Sequence, residues 1–193
     1  IAGLGQDPAR SRKNKDIARQ LGVSPPAVSR ISKQLRQLGF IAGTRLSEVD
    51  REGLLHAFIR EYRGAGGHIE YAFTLDSLGE FAQGLEATQG NAIALSADVG
   101  PDRIAPWRVP TTLIVYVKDP QLHIPDLVPA EGPGDANVLL HFPDDMSVFQ
   151  IPGSPRREQP TLADPTQMLI DLHRLGGDDR LEAAEKLEQW LLK

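Results

Sequence analysis

Near the start of the chain, apolar residues recur at spacings of three and four in two adjacent stretches. Asn14 to Leu21 (NKDIARQL) predicts a short helix with Asn14 at its start and Ile17, Ala18 and Leu21 facing inward. Gly22-Val23-Ser24 predicts a tight turn. In the next stretch, Val28, Ile31, Leu35 and Leu38 form one apolar stripe. Ser24 is a good N-cap. A residue before proline avoids the α region, so this helix is expected to begin at about Pro26 or Ala27. Gly39 then ends it. Ile1 to Gln6 reads as the last turn of a helix that begins upstream, and Asp7 to Lys13 as a polar connection.

The periodicity changes further along. Phe40 to Leu46 reads as a short strand, and Ser47 as the cap of a helix from about Glu48 to Tyr62 with Leu54, Leu55, Phe58 and Ile59 on its apolar side. Gly64-Ala65-Gly66-Gly67 carries no following Lys-Ser or Lys-Thr, so it reads as a flexible turn and not a phosphate loop. His68 to Leu75 alternates like a strand, and Leu78 to Thr88 suits a helix. Ala92 to Ala97 fits strand or helix. Thr111 to Lys118 (TTLIVYVK) is the clearest strand, β-branched and bounded by Pro110 and Pro120. Pro120 to Asn137 predicts a long loop. Val138 to Phe142 and Val148 to Ile151 predict two more strands turning at Pro143-Asp144-Asp145, and Gly153 to Pro160 a connection. Asp164-Pro165 starts a helix that Gly176-Gly177 stops. A last helix from Asp178 turns Leu181, Ala184, Leu187, Trp190 and Leu191 inward. The pattern predicts an α+β chain, with a winged helix-turn-helix over residues 1–63 and a mixed α/β domain over residues 64–193.

Charge sharpens that division. The 193 residues carry a net charge of −5. Residues 1–45 hold nine basic residues against two acidic ones, a net of +7, so the rest of the chain stands at −12. A basic head on an acidic body points to nucleic acid as a partner. The chain has no cysteine, which excludes disulfides and thiolate metal sites and leans toward the cytoplasm. No run of about 18 apolar residues predicts a membrane span. The first residue is Ile1, and with no signal-peptide pattern after it the start reads as trimmed.

In a helix-turn-helix the N-terminal end of the second helix meets base edges in the major groove. On this reading Pro25 and Pro26 stiffen its entry without removing an intrahelical hydrogen bond, and their rings offer apolar contact to thymine methyl groups. Ser29 and Arg30 lie one turn in, where side chains reach bases, with Arg30 the candidate guanine contact, and Ser24 is counted with Pro25 and Pro26 among the DNA-binding candidates at the helix entry. Lys13, Lys15, Arg19 and Lys33 are candidate phosphate contacts, together with Arg36 late in the helix, and Arg45 is a further candidate DNA-binding residue. The competing readings are a phosphate contact for Arg30 and a solvated charge for Arg36.

Catalytic signals are weaker. His56, His68, His123, His141 and His173 are scattered, with no H-x-x-H or H-x-x-x-H pair and no G-x-S-x-G element. Asp144-Asp145 and Asp178-Asp179 read as turn and helix-cap residues, with metal-bound carboxylates the alternative. Trp107 and Arg108 read either as a partner surface or, for the tryptophan, as core. No enzyme activity and no cofactor are expected.

The helix-turn-helix, the stretch IAPWRVPTTLIVYV and the ending LADPTQMLIDLHRLGGDDRLEAAEKLEQW together resemble the AbiEi-type antitoxins of type IV toxin–antitoxin systems and related regulators. Asp164, Pro165, Asp171, Leu172, Gly176, Gly177, Ala183, Ala184 and Leu187 fit the terminal signature. The resemblance implies an N-terminal winged helix-turn-helix and a C-terminal α/β domain. It also implies autorepression at inverted repeats in the operon's own promoter, and antagonism of a separately encoded nucleotidyltransferase toxin through the C-terminal domain. The Gly-Ser and Asp-x-Asp of nucleotidyltransferase catalysis are absent here, so catalysis is not carried over. Many members have a more basic C-terminal domain, whereas this one is acidic, which argues against DNA binding by the second domain. The leading expectation is therefore a DNA-binding repressor and antitoxin. The alternatives are a stand-alone regulator whose acidic domain binds a ligand or protein and, less favoured, an enzyme with a DNA-targeting head.

Overall fold

The computed structural model describes residues 14–42, 49–104, 109–149 and 161–193. The chain is α+β and divides into two compact units, the first running to Tyr62 and the second beginning at Arg63. The expected elements over residues 1–13 and 153–160 lie outside the described residues, as do Trp107 and Arg108.

In the first unit, α1 (Asn14–Leu21) and α2 (Pro25–Gln37) are joined by the Gly22-Val23-Ser24 turn. Both helices end the same way. Gly22 and Gly39 take positive φ, which glycine adopts without steric cost. The next residue then donates back: Val23 N–H to the Ala18 carbonyl at 3.0 Å, and Phe40 N–H to the Leu35 carbonyl at 2.9 Å. Pro25 already belongs to α2, one residue earlier than expected, because first-turn N–H groups have no helical acceptor to lose. α3 (Arg51–Glu61) starts later than expected. Its N-cap is Asp50, whose side chain accepts from Gly53 N–H at 2.9 Å, rather than Ser47. Where a strand from Phe40 to Leu46 was expected, the described residues form a bridge from Ile41 to Val49, and residues 43–48 lie outside them.

The second unit is built on a mixed sheet in the order β2-β3-β5-β1-β4. Its strands are β1 (His68–Phe73), β2 (Ile93–Ala97), β3 (Leu113–Val117), β4 (Val128–Pro129) and β5 (Val138–Phe142). β3 and β5 run parallel and the other neighbours antiparallel. Every residue of β2 and β3 is buried: β3 lies inside the sheet, and β2, at its edge, is covered by helices and by a bridge from Leu95 to Leu162. Beyond β1, the Asn137 side-chain amide prolongs the ladder. It accepts from Thr74 N–H and donates to the Thr74 carbonyl, each at 2.9 Å.

The helices of this unit are α4 (Leu78–Gln89), α5 (Val99–Ile104), α6 (Pro165–Leu175) and α7 (Asp178–Leu192). α6 is buried at every position from Thr166 to Leu172. α4, α5 and α6 all approach β2. α5, with Pro101 inside it, was not expected. Val148, expected to open a strand running to Ile151, instead closes a 3₁₀ turn over Met146–Val148, capped by the Asp145 carboxylate accepting from Ser147 N–H; Phe149 forms a bridge to Ala163, and residues 150–151 lie outside the described residues. The Gly64–Gly67 run is also no free turn. The Ala65 carbonyl accepts from both Asp144 and Asp145 N–H, and a β-carbon at Gly67 would run into the Phe142 carbonyl oxygen. Leu181 is exposed, while Ala184 and Leu187 face inward as expected.

Candidate nucleic-acid interface

The α2 surface follows from the rotation of about 100° per residue in an α-helix. Val28 and Ser32 are buried, and Leu35 is half-buried on the same side. The opposite side then carries Pro26, Arg30, Lys33 and Gln37, all exposed. The stripe expected from Val28, Ile31 and Leu35 is therefore rotated. Ile31 is 50 % exposed, and Ser32, small enough for close helix approach, takes the inward place. Ala18 is the buried small residue of α1, which lies against α2. Leu21 and Leu38, expected on the inward side, are exposed, as is Val23 of the turn.

The Ser24 hydroxyl accepts from Ala27 N–H at 3.4 Å, so this residue is a helix cap before anything else. Ser29 is exposed, and its hydroxyl accepts from the Asn14 side chain at 3.0 Å, linking the starts of α1 and α2. Lys15 and Arg19 stand exposed on α1, with Arg19 3.8 Å from Asp16 on the same helix. Pro25 and Pro26 are exposed at the entry to α2. Lys13 and Arg45 lie outside the described residues. Among the described residues the structure thus groups Pro26, Arg30 and Lys33 on one face. Acidic residues are missing from the sequence between Asp16 and Glu48.

The second unit places its charges differently. Asp98 follows Ala97, a buried residue with φ of 60°, an uncommon conformation for a side-chain-bearing residue. Its carboxylate is gripped by the Arg180 fork at 2.8 and 3.1 Å, and by Thr111 N–H, Thr111 hydroxyl and Thr112 N–H at 3.0 Å each. Burial pushes the Asp98 pKa up, but Arg180 and Thr111 outweigh it and hold it below the ordinary value. Asp171 is also buried. It accepts from Ser96 at 2.5 Å, Gln167 at 2.8 Å and the Tyr116 hydroxyl at 3.0 Å. Burial outweighs those hydrogen bonds and raises its pKa to about 6. Next to this cluster the His141 ring lies 4.9 Å from Tyr116, and its Nε2 is 2.6 Å from the Gly66 carbonyl oxygen. Burial is the main cause of the lowered His141 pKa, and the Arg174 charge adds to it.

The residues that carry the family resemblance each have a structural role. Asp164 caps α6, accepting from Thr166 N–H at 2.9 Å, and Pro165 is its first residue. Asp171 anchors the buried cluster, and Leu172 is core. Gly176 and Gly177 take positive φ between α6 and α7. Gly177, without a side-chain bond, stands at the N-cap of α7, so Asp178 and Asp179 are first-turn residues and not caps. Ala184 and Leu187 are buried, and Ala183 is half-buried beside them. Sequence reasoning noted Asp171 only as part of this signature and did not single out Asp98 or Arg180, 82 residues apart. Among the described residues, no group of three His, Asp or Glu side chains is placed to hold a metal ion, and no helix is long and apolar enough to cross a membrane. No protein-family model, curated protein or solved structure matches the chain.

Proposed function

We propose that the chain is a sequence-specific DNA-binding repressor that reads the major groove with α2. One observation carries this reading. Arg30 and Lys33 share the exposed face of a capped helix with Pro26, opposite its buried side, in a stretch without acidic residues. Such a face supplies phosphate attraction along its length and base contacts near its N-terminal end. The Ile41–Val49 bridge after α2 is where a winged variant would begin its wing. The family resemblance extends the proposal. The target is inverted repeats in the chain's own promoter, and the second unit antagonises a nucleotidyltransferase toxin encoded nearby in the cytoplasm.

The test is binding to the DNA upstream of the gene against scrambled DNA of equal length, between about 50 and 200 mM salt. Specific binding is expected to weaken steeply with salt. Arg30→Ala is expected to cost about 1–3 kcal/mol on the specific site and to erode discrimination, whereas Lys33→Ala weakens both DNAs alike. Equal binding to both DNAs by the native chain refutes autorepression. Co-expression with a neighbouring nucleotidyltransferase gene tests the antitoxin role, and unchanged toxicity rejects it. The alternative, a stand-alone regulator with a ligand-binding second unit, is favoured by a groove in that unit.

A further inference from the structure

A groove of about 460 Å³ opens on one face of the sheet in the second unit, within the usual size range of small-molecule sites. Leu140 and Phe142 of β5 form its floor with Glu70 of β1. The chain after β3 supplies a wall of Leu122, Ile124 and Leu127. Strand register explains the grouping, because Glu70 stands opposite Leu140 and two residues of β5 further on is Phe142.

Most of the residues lining the groove are apolar, His123 and Glu70 being the exceptions apart from the Tyr71 hydroxyl, although polar atoms make up about half of its surface, and it carries one formal charge. Glu70 is the only lining residue that is charged when histidines are neutral, and its side chain is 56 % exposed. Its ion-pair neighbour is His68 at 3.4 Å, a cation only when protonated. The chain from Asp119 to Asp135, which forms the wall, carries four carboxylates (Asp119, Asp126, Glu131, Asp135) and no lysine or arginine. An uncharged apolar guest would cover the Glu70 carboxylate and strip its water with nothing in return. A guest that brings a positive charge offsets that cost. Added-strand binding of a peptide is blocked beside the groove, since Ala130 N–H already donates to the Tyr71 carbonyl at 2.9 Å.

We propose that this groove binds a small hydrophobic cation, an apolar body bearing one amine or onium charge. The site lies in the second unit, so the inference stands or falls independently of whether α2 reads DNA.

Tetraphenylphosphonium titrated calorimetrically into the full chain tests it, at about pH 8, where an ordinary histidine is neutral. One-to-one binding is expected. Glu70→Gln should weaken it by about threefold to tenfold, the range for a partly solvated charge pair. Leu127→Lys, which brings a cation into the groove at a half-buried position, should abolish it. Asp178→Asn removes the same charge from the first turn of α7 and should leave binding within about twofold. Absence of binding overturns the proposal. So does equal weakening by Glu70→Gln and Asp178→Asn, which would mean diffuse attraction to an acidic surface. Sedimentation showing a native dimer that Leu127→Lys dissociates would assign the groove to a second copy and overturn it as well.

Discussion

The two units use charge in opposite ways. On α2, Arg30 and Lys33 stand out of the fold, and the helix is held by Val28, Ser32 and the Ser24 cap. In the second unit, Asp98, Arg180 and Asp171 are turned into the fold and carry several hydrogen bonds each. An exposed charge costs nothing to keep and is available to a partner. A buried one must be satisfied completely, and it then fixes which elements meet. Asp98 and Arg180 tie the end of β2 and the start of β3 to α7, whereas Arg30 ties nothing to anything among the described residues.

The sharpest way to break this contrast is Asp98→Ala. The Asp98 side chain is 3 % exposed and that of Arg180 17 %, so the change leaves a largely buried guanidinium without its carboxylate. A loss of about 3–5 kcal/mol in urea denaturation is expected, and a loss below about 1 kcal/mol would place this pair with the ordinary surface ones.

Next is pH. Asp171 has its folded pKa raised from 3.8 to about 6, so between those values the folded state holds a proton that the unfolded state releases. Its contribution is full below about pH 4 and is lost as the pH rises through about 6, a fall of about 3 kcal/mol. Asp98 has the opposite sign, since its lowered pKa adds stability above the unfolded value that is lost on acidification. Asp171→Asn should flatten the stability profile between about pH 4 and 6, and an unchanged slope would rule out Asp171 as its source.

Smaller effects sharpen the other side. Ser24→Ala should cost about 1 kcal/mol by removing the cap of α2, read as a lower thermal midpoint. Arg30→Ala and Lys33→Ala should leave stability within about 0.5 kcal/mol, whatever they do to DNA binding. A larger loss from either would mean that these charges serve the fold.

Local chemistry was well legible in the sequence. α1, α2, α4, α6 and α7, and the strands β1, β3 and β5, follow from period, caps and glycine stops, and Asp164-Pro165 begins α6 as read. The misreadings arise where tertiary context decides. Spacing alone makes Ile31 as good an inward residue as Ser32, and the packing of the unit buries the smaller of the two. Val148 looks like a strand residue until Asp145 caps a 3₁₀ turn around it. Asp50 displaced Ser47 as the cap of α3 because both are sound N-cap types, and sequence does not rank them. As for the candidate interface, the sequence was enough to name Arg30 and Lys33. It was silent on the Ser29–Asn14 bond and on the groove, whose lining joins residues 70–72 to the distant segments 120–130 and 140–142.

The Asn137 amide that completes the β1 ladder has a kinetic consequence. Thr74 and its partner are 63 residues apart in sequence, and all of β2 and β3 lies between them. As the chain leaves the ribosome, β1 emerges early and stays unpaired on its β5 side until β5 has been synthesised. The hydrogen bonds recorded in the first unit are by contrast local, Asn14 to Ser29 being 15 residues apart. Long-range closure is slow and local helix pairing fast, so the helical unit is expected to fold first and to be complete while β1 still waits for its partner.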